Sequence, residues 1–86
     1  MASIQDIANA AYRIGQSADG VQQRTRGCAD TLKTHCTQLA ALVEGSRTGT
    51  DAVRQVQDAE RAVRDCAAKL LTLQSTIDRF IQDLTK

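Results

Sequence analysis

Proline and tryptophan are absent from this 86-residue sequence, aromatic residues make up 2% of it, and histidine and methionine occur once each. The missing proline leaves any helical run without an imposed break. A charge excess is missing too: eleven Lys+Arg stand against ten Asp+Glu, four and four in residues 1–44 and seven and six in residues 45–86. Nucleic-acid binders normally gather a basic surplus on one face, so no nucleic acid is expected as partner. No apolar run approaches the ~20 residues of a membrane span. No apolar h-region follows Met1, so neither membrane insertion nor a Sec signal is expected. What is present is 42% hydrophobic residues, mostly Ala, Val, Ile and Leu. That is too much for a disordered chain, and the length supports one small domain, residues 1–86, whose burial is marginal.

The apolar residues recur at helical spacing. Steps of three and four from Ile4 give Ile7, Ala11, Ile14, Ala18, Val21, Thr25, Cys28, Leu32, His35, Leu39 and Leu42, with Thr25 and His35 as the interruptions. The second half gives Val56, Ala59, Val63, Cys66, Leu70, Leu73, Ile77, Phe80 and Leu84 without one. A 3-4 repeat keeps one seam turned to a partner helix, and strand-like alternation is absent. The expected fold is all-α, an antiparallel two-helix hairpin with helix one at about 4–44, a turn at 45–50 and helix two at about 51–85.

Between the runs, Glu44-Gly45-Ser46-Arg47-Thr48-Gly49-Thr50-Asp51 is dense in turn formers. Gly45 suits the left-handed position after a helix, and Thr48 or Thr50 can cap the next one, with Asp51 in its first turn. Ser3 followed by Asp6 resembles a capping box. Gly15, Gly20 and Gly27 weaken helix one, and a kink near Ser17–Gly20 is one expectation. A short turn makes the helices antiparallel.

So thin a hairpin is expected to bury a second face. Val43, Val53, Leu71 and Ile81 lie off the assigned seam and are not explained by helix propensity, as the many alanines are. They are the expected partner interface, pairing two hairpins into a four-helix bundle.

The residues offer little chemistry. Cys28 and His35 lie ~10 Å apart along one helix, and His35 and Cys36 point roughly 100° apart, so no shared metal site is expected. His35 has no orienting carboxylate three or four residues away, and a slim hairpin has no pocket for a Cys–His pair. Gly45-x-x-x-Gly49 lacks the lysine of a phosphate loop, and Asp58, Glu60, Arg61, Arg64 and Asp65 read as a solvated face. No catalytic residue, metal, cofactor or small-molecule substrate is expected, and the chain is read as not an enzyme. The thiols leave alternatives open. A turn centred on Arg47 sets Cys28 opposite Cys66, a candidate disulfide that leaves Cys36 free or intermolecular. A turn centred on Gly49 instead sets Cys66 opposite Leu32, and in a reducing cytoplasm all three can be small buried thiols.

The stretch Leu39-Ala40-Ala41-Leu42-Val43-Glu44-Gly45-Ser46 resembles the turn of the WXG-type small hairpin proteins of bacterial type VII secretion. Val43-Glu44-Gly45 occupies the Trp-x-Gly position, keeping the glycine and not the tryptophan. Thr50-Asp51-Ala52-Val53-Arg54-Gln55-Val56-Gln57 is similar to the polar start of that family's second helix. The family's second signal, Tyr-x-x-x-Asp/Glu beyond helix two, has no counterpart here, the one tyrosine being Tyr12. The resemblance implies a divergent member that dimerises with itself or a cognate helical chain, and a cytoplasmic protein that can be exported without a Sec signal. The alternative is a cytoplasmic helical adaptor or oligomeric scaffold unrelated to secretion.

Overall fold

The computed structural model describes residues 2–86, and it is an all-α helical hairpin. Two helices, α1 (Ile4–Leu42) and α2 (Arg47–Leu84), pack against each other along their length. The hairpin measures 64 × 19 × 14 Å. No helix among the described residues is long and apolar enough to cross a membrane.

Each helix starts where a side chain takes over the orphaned first-turn N–H groups. Ser3 Oγ accepts from the Asp6 amide at 3.1 Å, and the Ser3 amide donates back to the Asp6 carboxylate at 3.3 Å. The reciprocal pair completes a capping box with aspartate in the glutamate's place. In α2 the cap is Ser46, not Thr48 or Thr50: its Oγ accepts from the Gly49 amide at 3.1 Å. Helix two therefore begins four residues earlier than expected, and Asp51 lies past the first turn. Helix one ends two residues earlier, because Val43 leaves helical geometry and Gly45 takes φ +84°. The connection is thus residues 43–46. Helix one runs unbroken through Gly15, Gly20 and Gly27.

The shortened turn resets the register. A Cβ built on Gly49 would overlap Val43, and one on Gly15 would meet Ile77 Cγ2 at 3.5 Å. Both pairs are symmetric about residue 46, so neither turn centre expected from the sequence is the one adopted. Gly49 is required by this close approach: any side chain there strikes Val43.

The seam itself is rotated from the expected one. In α1 and its cap the buried and half-buried line is Ala8, Ala11, Gly15, Ala18, Gln22, Thr25, Ala29, Leu32, Cys36, Leu39 and Val43. In α2 it is Gly49, Val53, Val56, Glu60, Val63, Ala67, Leu70, Gln74, Ile77, Ile81 and Leu84. Every second position of the expected seam is replaced by the residue that follows it. Ile7, Ile14, Val21, Cys28, His35 and Leu42 give way to Ala8, Gly15, Gln22, Ala29, Cys36 and Val43. Likewise Ala59, Cys66, Leu73 and Phe80 give way to Glu60, Ala67, Gln74 and Ile81. At 3.6 residues per turn this rotates the seam by about 50°. Size accounts for part of the exchange: Ala8, Gly15, Ala29 and Ala67 are smaller than the Ile7, Ile14, Cys28 and Cys66 they replace, and let the two helices approach closely. The buried apolar residues are accordingly five alanines and Cys36, and no large side chain is fully enclosed.

Candidate functional site

The rotation leaves a second apolar line on each helix. Antiparallel helices are related by an approximate two-fold axis normal to the hairpin plane, so equivalent lines emerge on the same face. Ile7, Ile14, Val21, Cys28, His35 and Leu42 therefore share one face with Ala59, Cys66, Leu73 and Phe80. All ten are exposed, with Ile14 at 59%, Leu73 at 43% and Phe80 at 47%. The residues beside them are small or uncharged except Arg24, Lys69 and Asp83, which lie at its edges.

The opposite face differs in kind. Its grooves are lined by residues of both helices, such as Tyr12, Gly15, Asp19, Gln74, Ile77 and Asp78 in one and Lys33, Cys36, Thr37, Gln57, Glu60 and Arg61 in another. Asp30 and Glu60 both hold Arg64, at 3.0 and 3.1 Å, tying α1 to α2. The hydrogen bonds from Arg64 to Asp30, and then to Glu60, raise the guanidinium's pKa above its ordinary value. Charge is thus concentrated on this side, where it faces water.

The residues singled out from the sequence are divided between these surfaces. Val43, Val53 and Ile81 are half-buried seam positions within the hairpin. Leu71 is exposed at 48%, but on the charged face, in a groove with Arg26 and Arg64. The four expected interface residues therefore do not form one surface. In the turn, Val43 packs on Gly49, Glu44 is exposed and Gly45 supplies the left-handed residue. The thiols also sort differently from expectation. Cys36 is buried in the seam, its Sγ 3.8 Å from the Val53 carbonyl oxygen. Cys28 and Cys66 are free and exposed. Standing side by side on one face, their Cβ vectors run outward in parallel instead of toward each other across the seam. His35 is exposed and does not interrupt the seam.

The face was not read from the sequence because its residues were assigned to the hairpin's own core. The signal was present: beside the two lines of its seam each helix carries a third line of mostly apolar or small residues, the three being interrupted by Gln22 and His35 on α1 and by Glu60 and Gln74 on α2. Among the described residues no group of three His, Cys, Asp or Glu side chains gathers for a metal ion. No protein-family model, curated protein or solved structure matches the chain.

Proposed function

We propose that this chain is a non-catalytic interaction protein that covers the Ile7–Phe80 face with a second copy of itself, forming a four-helix bundle. The observation that carries the reading is that Ile7, Ile14, Val21, Leu42, Leu73 and Phe80 stand exposed on that one face. Leu73 and Phe80 on α2 stand exposed beside Ile14 and Val21 on α1, while the fully buried apolar positions of the seam are five alanines and Cys36. Burying such side chains stabilises by roughly 1.5–3 kcal/mol each, a contribution that the isolated hairpin forgoes. The hairpin's 64 × 19 Å breadth exceeds the about 800 Å² per partner of a standard stable interface. A second copy also supplies an identical face with the same heptad spacing along both helices, as isologous pairing requires.

The turn resemblance adds a setting. Val43-Glu44-Gly45 lies in the Trp-x-Gly position of WXG-type proteins, and the reading is of a divergent member travelling by type VII secretion. The missing tryptophan favours the second reading, a cytoplasmic adaptor or scaffold unrelated to secretion. Recovery of the chain from the medium of a type VII-competent bacterium, and its loss when the secretion ATPase is deleted, supports the first. Retention in the cells supports the second.

The docking face is tested by placing charge on each side of the hairpin and measuring mass by light scattering. Leu73→Asp should convert a dimer to a monomer, and Leu71→Asp, on the charged face, should leave the dimer intact. The opposite ranking, or a wild-type monomer that acquires mass only with a cognate chain, overturns self-association on this face.

A further inference from the structure

Cys28 and Cys66 share more than a face. Symmetry about residue 46 sets Cys28 level with residue 64, two residues or about 3 Å from the level of Cys66. Cys66 in turn lies at the middle of α2 (Arg47–Leu84). Both exposed thiols thus sit halfway along the hairpin, in the centre of the proposed docking face. Two copies that overlap fully must bring their four thiols into one layer, whichever way they lie. With turns at the same end, Cys28 of one copy meets Cys66 of the other. With turns at opposite ends, each cysteine meets its own equivalent.

On the proposed docking face, we infer that Cys28 and Cys66 form a central thiol layer through which oxidation joins two copies by intermolecular disulfides. Within one hairpin the two side chains project in parallel from neighbouring helices. Across the dimer they project toward each other, and Cβ atoms facing across helices about 8–10 Å apart approach within roughly 4 Å. That is the separation a disulfide spans, about 3.8 Å between Cβ atoms. The oxidant is a low-molecular-weight disulfide such as oxidised glutathione. One cysteine thiolate attacks its S–S bond, giving a mixed disulfide and releasing one glutathione thiolate. The facing thiolate then displaces the second glutathione, leaving an S–S bond between the copies. The two protein thiols lose two electrons, and their protons pass to the two glutathiones. A reducing cytoplasm keeps the dimer reversible, and an oxidising compartment fixes it. Cys36, enclosed in the seam, takes no part.

The test incubates the full chain with oxidised glutathione and follows it by non-reducing denaturing electrophoresis and intact mass, beside sedimentation of the reduced chain. The expected product is a covalent dimer of twice 9.3 kDa, absent from the Cys28→Ser/Cys66→Ser variant, which retains Cys36. If each single serine variant still cross-links, the turns lie at opposite ends. If cross-linking needs both cysteines, they lie at the same end, and either pattern supports the thiol layer. An intrachain Cys28–Cys66 bridge, no bridge at all, or a dimer made through Cys36 overturns the thiol layer. When the reduced chain nevertheless sediments as a dimer, the docking face itself stands. A reduced monomer removes both.

Discussion

Replacing Gly49 with alanine tests the turn and the register together. A Cβ at that position would lie 2.8 Å from Val43 Cγ2 and 3.0 Å from Val43 Cγ1, and closer still to Val43 Cβ. Ordinary carbon contacts begin near 3.5 Å, so the end of α1 must shift away from the first turn of α2. Overpacking of this kind costs about 1–3 kcal/mol, and alanine's better helix propensity returns roughly 1 kcal/mol of that. The net loss should be about 0–2 kcal/mol. For a domain of this size it lowers Tm by up to roughly 15 °C. Gly27→Ala is the control, because a Cβ there meets nothing within 4 Å. It should raise Tm by roughly 4–8 °C through propensity alone. Thermal unfolding by circular dichroism at one fixed concentration reads both. In a Val43→Gly background the same Gly49→Ala change should lose most of its cost, since the groups it strikes are gone. If Gly49→Ala stabilises the chain as Gly27→Ala does, the contact between Val43 and α2 is not made and the register about residue 46 is wrong.

The seam offers two more predictions. Gln22 is 4% exposed and its Nε2 has no hydrogen-bond partner; Gln22→Met, of similar length, should stabilise by about 1–3 kcal/mol, the cost of a stranded buried amide, and an unchanged or lower Tm would mean that the amide is satisfied in solution. Leu70, half-buried against α1, should not tolerate aspartate: Leu70→Asp strands a charge in the seam and should abolish cooperative helicity, whereas retained helicity and Tm would refute the seam position.

The parts of this molecule legible in its sequence were those set by local rules. Uninterrupted 3-4 spacing announced two long helices, Ser3 and Asp6 announced the first cap, and Gly45 announced the left-handed residue that ends α1. The turn's length was misread because Ser46, Thr48 and Thr50 are all competent caps; the choice among them depends on Val43 and Gly49 packing, a contact between helices. The seam was misread for a related reason. Hydrophobic periodicity ranks lines by how apolar they are, and Ile7, Ile14, Leu73 and Cys66 outrank Ala8, Gly15, Gln74 and Ala67. Close helix approach ranks them by size instead. The shared positions Ala11, Ala18, Leu32, Val63, Leu70 and Ile77 serve both lines, which is why half the assignment held. The exposed apolar face was therefore visible as residues but not as a face: every second position of the line identified as the hairpin's core is presented outward.

Thermal unfolding followed across a hundredfold range of protein concentration, with reductant present, addresses the central claim most directly. If a second copy completes the core, folding is coupled to association and Tm rises with concentration. A Tm that stays constant over that range, with a cooperative helical transition, would mean that the single hairpin is stable with its apolar face in water, and would contradict the account.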